Sequence, residues 1–216
     1  MKKVILFQGD SITDADRNRN DDNDAGCGYA NLVKASLGLD YPNKFTFYNR
    51  GIGGHRITDV YTRITGDIIN LKPDSMSLLI GVNDIWHGID WQNATGEKRF
   101  ERIYRIMIEE IKEALPNIQI MIMGAYVCHG VSTNNNETDP ERFSKFQTGV
   151  ARMAEIAKQV AEDTGCYYLP LQEVMDKAEA EYGEGFCTVD GVHPSAWGHE
   201  VIKRAWIKAF EEYKNF

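Results

Sequence analysis

Short apolar segments alternate with amphipathic helical ones along the whole chain, and this alternation restricts the fold more than any other feature of the sequence. Lys3–Gln8, Phe45–Asn49, Ser75–Ile80, Ile118–Met123 and Tyr167–Leu169 are brief, apolar and bounded by Gly, Pro or Asn. Such runs read as strands buried on both faces of a parallel sheet. Between them, Phe100, Ile103, Tyr104, Met107, Ile108, Ile111 and Leu115 recur at spacings of three and four, one apolar face of a helix. Asp139-Pro140 reads as N-cap and first residue of another helix, with Phe143, Phe146, Val150, Met153, Ala157 and Val160 as its buried stripe. A last helix is expected from about Ser195, with Val201, Ile202, Ala205, Trp206, Ala209 and Phe210 facing inward. Repeated β-α-β units predict a three-layer α/β/α sandwich around a five-stranded parallel sheet. With no linker, internal repeat or low-complexity tract, residues 1–216 read as one domain.

Composition narrows the function classes. Hydrophobic residues make up 43% and charged residues 26% of the chain, the profile of a soluble globular protein. A net charge of -8 opposes nucleic-acid partners, because phosphate backbones repel an acidic surface, and opposes docking on anionic membranes. No apolar run approaches the ~20 residues needed to span a bilayer. Lys2-Lys3 precede only four apolar residues, Val4 to Phe7, before Gln8-Gly9-Asp10. A signal peptide needs an apolar stretch of ~7–15 residues, so this segment reads as a first strand. The four cysteines, Cys27, Cys128, Cys166 and Cys187, form no C-x-x-C pair and read as reduced thiols of a cytoplasmic protein.

In open parallel sheets ligands bind beyond the carboxyl ends of the strands, so the residues following each strand carry the functional signal. Gly9-Asp10-Ser11-Ile12-Thr13 follows the first strand. A serine at such a strand-to-helix turn can project its hydroxyl outward; it can equally be an N-cap or part of an anion-binding turn. Asn49-Arg50-Gly51-Ile52-Gly53-Gly54 follows the second strand, where glycine permits either a tight turn or close backbone approach. Gly81-Val82-Asn83-Asp84 follows the third, offering Asn83 as side-chain donor or turn residue. Near the C-terminus Asp190 lies three residues before His193, a spacing that lets the carboxylate accept the imidazole Nδ1–H and leave Nε2 as a base, although a lone histidine near an aspartate is more often structural. A nucleophile, a base, an orienting acid and backbone and side-chain donors are together the parts required for acyl transfer.

These four segments, in this order, resemble the signature blocks of the SGNH (GDSL-type) hydrolases. Gly9-Asp10-Ser11-Ile12 is similar to the G-D-S-L block, with Ile in place of Leu. Asn83 resembles the family's oxyanion asparagine, and Asp190/His193 its D-x-x-H block. Gly54 corresponds to the oxyanion glycine by its distance from Asn49, with a one-residue ambiguity from the doublet Gly53-Gly54. The resemblance implies the SGNH hydrolase fold with a flavodoxin-like five-stranded sheet, and a serine esterase with the triad Ser11, His193 and Asp190. It further implies an oxyanion hole of Ser11, Gly54 and Asn83, and no cofactor or metal. The five histidines show no metal-ligand spacing of their own.

Ser11-Ile12-Thr13-Asp14 with Arg17, Ile80 to Trp86, and Val192-His193-Pro194-Ser195 with Gly198-His199 most resemble the acetylxylan esterase branch. That implies a small-molecule or oligosaccharide ester as substrate, with acetyl groups on xylo-oligosaccharides or related sugars foremost. The polar loops 14–23 and 132–139 offer no surface for a long acyl chain if they wall the site. Asp14, Arg17, Trp86 and Trp91 are the candidates for substrate binding, aromatic faces being suited to sugar rings. Trp86 reads equally as core. A lysophospholipase or thioesterase on the same triad is the alternative enzyme; a flavodoxin-like binding module is the alternative outside catalysis, and the chain has no phosphate-loop motif to support it. A homo-oligomer is left open.

Overall fold

The computed structural model describes residues 2–212. Strands β1 (Lys3–Gly9), β2 (Phe45–Asn49), β3 (Ser75–Leu79), β4 (Gln119–Met123) and β5 (Tyr167–Leu169) form one all-parallel sheet in the order β2-β1-β3-β4-β5. The helices are α1 (Ser11–Asp14), α2 (Tyr29–Asp40), α3 (Ile57–Tyr61), α4 (Ile64–Asp67), α5 (Val82–Trp91), α6 (Glu97–Ala114), α7 (Arg142–Thr164), α8 (Leu171–Tyr182) and α9 (Ala196–Glu212). This is the flavodoxin-like α/β/α sandwich expected of an SGNH hydrolase, and every predicted strand is met to within one residue at each end.

The pleat sends alternate side chains to opposite faces, so each strand feeds two cores. On one face Ile5 and Phe7 of β1 and Met121 and Met123 of β4 meet α2, α8 and α9. On the other, Leu6, Met76, Leu78, Ile120 and Ile122 meet α3, α6 and the second half of α7. Opposite Ile5 and Phe7 in register stand Ser75 and Ser77. Three aromatic rings reach Phe7 on this face: Trp206 at 5.6 Å, Tyr29 at 6.0 Å and Phe47 at 6.5 Å between ring centroids. The chain runs from β1 out to β2 and then back across to β3, so the strand order reverses between β1 and β3. That reversal opens a crevice at their carboxyl ends.

Two local expectations are corrected. The helix predicted from Asp139-Pro140 begins at Arg142, with Glu141 as its cap, because the Asp139 carboxylate is taken by Lys145 Nζ (2.6 Å). Phe143 is only half-buried and stacks on His129 at 3.6 Å between ring centroids instead of entering the core. Asn83, read as a turn residue or donor, lies in the first turn of α5. Among the described residues no helix is long and apolar enough to cross a membrane.

Phe7 is fully buried between three aromatic neighbours, Tyr29, Phe47 and Trp206. Truncation to Ala removes their shared contact and leaves a cavity, so Phe7→Ala should lower the unfolding free energy by about 3–5 kcal/mol. Urea unfolding would show this as a lower midpoint at unchanged slope.

Candidate active site

The site begins where β1 ends. Asp10 caps α1, its Oδ1 accepting the Ile12 N–H at 3.0 Å, and Ser11 is the first residue of that single-turn helix. The Ser11 N–H therefore has no acceptor within the helix. Gly9 is required by sterics: a Cβ there would meet Thr13 Oγ1 at 2.5 Å and run into the Leu79 carbonyl of β3. The tight turn that presents Ser11 thus depends on contact between the ends of β1 and β3. Complete burial raises the Asp10 carboxyl to about 7, against the Ile12 hydrogen bond and the nearby charge of His193.

Ser11 Oγ lies 2.9 Å from His193 Nε2, and His193 Nδ1 lies 2.8 Å from Asp190 Oδ2. Asp190 Oδ1 meanwhile accepts the backbone N–H groups of His193 (2.7 Å) and Val192 (2.9 Å). Burial alone would push the Asp190 carboxyl up, but these bonds and the facing imidazole hold it at about 2. The hydrogen bond from Asp190 raises the His193 imidazole above its ordinary 6.5, with burial pulling the other way. Nδ1–H held by a carboxylate fixes the tautomer in which Nε2 accepts a proton. The fold thus places Ser11, His193 and Asp190 in one hydrogen-bonded row.

Neighbouring elements hold this chain in place. Ser132 donates from its backbone N–H to the Asp190 carbonyl (2.9 Å) and from Oγ to Asp190 Oδ2 (3.3 Å). Arg142 of α7 donates to the Ser132 carbonyl (2.7 Å) and grips Asp90 of α5 through two nitrogens, at 2.6 and 3.1 Å. Asp90 also accepts Trp86 Nε1–H at 2.6 Å, and the Trp86 ring backs His193 at 5.9 Å between centroids. This buttress of Ser132, Arg142, Asp90 and Trp86 joins two helices and a loop, and sequence spacing gives no signal for it.

The donor candidates follow the ends of β2 and β3. Asn83 is buried at the start of α5 and gives one amide hydrogen to the His55 carbonyl (3.2 Å), which leaves a second. Of the glycine doublet, the Gly53 N–H is committed to Asp14 Oδ2 at 3.0 Å. Gly54 adopts φ 78, a left-handed conformation that favours glycine, and its N–H has no acceptor among the described residues.

Of the four expected substrate contacts, only Asp14 borders the cavity beside Ser11, a space of about 490 Å³. Ser11, His193, Gly53, Arg19, Cys27 and His199 help to line it. Arg17 is buried beneath, its Nε donating to the Gly51 carbonyl at 3.0 Å, so it supports the loop after β2 and not a ligand. Trp86 serves the buttress, and Trp91 is 63% exposed with its ring edge against His87. Arg19, bonded to Asp14 at 2.6 Å, and His199 went unread as cavity walls because only the folded chain brings them there. Among the described residues no cluster of three or more His, Cys, Asp or Glu has the arrangement to hold a metal ion.

The arrangement has close parallels. Residues 7–201 match the GDSL-like Lipase/Acylhydrolase family. The chain is 30% identical to the acetylxylan esterase of Geobacillus stearothermophilus over 213 residues, 94% of this chain and 92% of that one. Among solved structures, a GDSL-like lipase from Parabacteroides merdae superposes with a TM-score of 0.87 at 31% identity, covering 98% of this chain and 97% of that one. The acetylxylan esterase Axe2 of Geobacillus stearothermophilus superposes with a TM-score of 0.81 at 28% identity, covering 95% of this chain and 93% of its own. The SGNH resemblance read from four short segments thus extends over nearly the whole chain, which belongs to the GDSL-like lipase/acylhydrolase family and is a carboxylic ester hydrolase.

Proposed function

We propose that the chain is a serine esterase that removes short acyl groups, chiefly acetyl, from hydroxyl-rich alcohols such as xylo-oligosaccharides. The observation that carries this reading is the continuous chain of hydrogen bonds Ser11–His193–Asp190 at 2.9 and 2.8 Å. The cavity beside it has Asp14, Asp16, Arg19 and His199 on its walls among the small apolar faces of Ala15, Cys27 and Pro194, a mixed lining that supports a hydroxylated alcohol with a short acyl group. The acetylxylan esterase relative supports the same substrate class.

In the first half-reaction His193 Nε2 takes the Ser11 proton as Oγ bonds to the ester carbonyl carbon. The Ser11 and Gly54 N–H groups and the second Asn83 amide hydrogen stabilise the oxyanion; one such donor is typically worth about 3–4 kcal/mol in the transition state. Collapse breaks the bond to the alcohol oxygen, which receives the proton from the His193 imidazolium. Water then attacks the acyl-serine and gives a proton to His193, which passes it to Ser11 Oγ as the bond to the acyl carbon breaks and the acid is released. Asp190 stays ionised throughout and stabilises the imidazolium.

Three outcomes test this reading. A fluorophosphonate should form one adduct, at Ser11 by peptide mass, and none on Ser11→Ala; an adduct elsewhere overturns the assignment of the nucleophile. Because neutral His193 is the working base and its pKa is raised, kcat/KM should fall as pH drops, along a limb centred above 6.5. Losing the Asp190 carboxylate removes the cause of the rise, so Asp190→Asn should move that limb of the residual activity to lower pH; a limb that stays in place excludes His193 as its origin. With p-nitrophenyl esters, kcat/KM should decline steeply beyond butyrate, whereas a maximum at octanoate or longer would indicate a lipolytic enzyme.

A further inference from the structure

His199, in the second half-turn of α9, reaches the cavity from the side of His193. Its Nδ1 accepts the backbone N–H of Tyr29, the first residue of α2, at 3.1 Å. That N–H is an orphan of the helix end, for Gly28 at the cap has no side chain to receive it. Gly28 also makes room for the ring: a Cβ there would meet His199 Cε1 at 2.7 Å and Nδ1 at 3.0 Å. A nitrogen that accepts a hydrogen bond carries no proton, so the neutral ring must hold its hydrogen on Nε2. Burial, with the charge of His193 adding to it, lowers the imidazole to about 4, which keeps the ring neutral wherever His193 can work as a base.

Nε2–H has no partner among the described residues, yet it is not among their side-chain atoms sealed from solvent without one. It is an accessible donor of fixed orientation, in the wall of the cavity that also holds Ser11 and His193. The triad makes no use of it, since Ser11 is already bonded to His193 and His193 to Asp190. We infer that His199 is a specificity-determining residue whose Nε2–H donates to a hydroxyl oxygen of the alcohol portion of the ester. The alcohol is the relevant half because its oxygen must receive the proton from His193 Nε2, and His199 and His193 flank the same cavity. The inference rests on the proposed triad, and requires only that the alcohol carry a hydroxyl near the ester, sugar or not.

The two ring nitrogens can be separated by substitution. Asn places its carbonyl oxygen near the position of Nδ1, so His199→Asn keeps an acceptor for Tyr29 and loses the donor. Gln places its amide near the position of Nε2, so His199→Gln keeps a donor and loses the acceptor. The readout is the ratio of kcat/KM for a glycerol monoester to that for the matching ethyl ester, taken at the acyl length the wild-type chain cleaves fastest. His199→Asn should lower this ratio about 3- to 10-fold, the worth of one neutral hydrogen bond, with hydrolysis of the ethyl ester within about twofold of wild type. His199→Gln should hold the ratio within about twofold of wild type while its thermal midpoint falls. A ratio unchanged in His199→Asn, or lowered equally in both variants, overturns the inference and leaves His199 as a cap for α2. The acyl optimum is read from the wild-type chain alone, so a failure of the short-acyl reading is distinguishable from a failure of this one.

Discussion

Strand β1 is hydrogen-bonded along both edges, to β2 and β3, and its side chains are buried on both faces. A strand so enclosed has no freedom of register, because a slip of one residue would exchange the two cores. The placement of Ser11 follows from that rigidity. Its turn is one residue beyond the last ladder position, and Gly9 lets the β3 carbonyl of Leu79 pass against it. From the adjacent strand ends, the loop after β2 brings Gly53 and Gly54, and the first turn of α5 brings Asn83. Asn83 is thus held by a helix, whereas Gly53 and Gly54 are held by a loop.

His193 and Asp190 are held differently. Asp190 and His193 lie in an irregular segment whose order comes from hydrogen bonds to its neighbours, among them Cys128, Tyr126 and Ser132. Ser132 is fixed in turn by Arg142, and Arg142 by Asp90, so ion pairing between α5 and α7 reaches the carboxylate that orients the imidazole. A half-exposed ion pair contributes little to global stability. Its value here is geometric: the two-nitrogen grip on Asp90 defines the direction from which Ser132 meets Asp190.

The strands were legible because burial on both faces leaves continuous apolar runs. Helices with one broad apolar face, such as α6, were equally clear. Helix α2 was not, since its buried side is only Tyr29, Ala30, Val33 and Leu37, interspersed with small and polar residues that weaken the period. Helix α5 was hidden for another reason: its first turn holds buried Asn83 and Asp84, polar residues placed for the site and not for the core. Among the site residues, Asp190 and His193 could be paired because a three-residue spacing is local. Arg17 was misjudged because a charged residue close to a serine motif gives no sign of being 8% exposed and turned to a loop carbonyl. The cavity walls Arg19 and His199 are products of tertiary packing, and no local pattern encodes them.

Ser11 and His193 are separated by 182 positions, yet their hydrogen bond closes the site. Between them the chain completes the sheet, and just after His193 comes α9, which packs on α2 and sends Trp206 against Phe7 of β1. Ser11 and His193 therefore belong to the earliest and the latest parts of the sandwich to be synthesised. An intermediate that has collapsed around β1 to β4 but has not docked α9 possesses a serine with no proton acceptor. With the proposed triad, such a species cannot cleave the esters it meets while folding, so the onset of hydrolysis would serve as a clock for closure of the architecture.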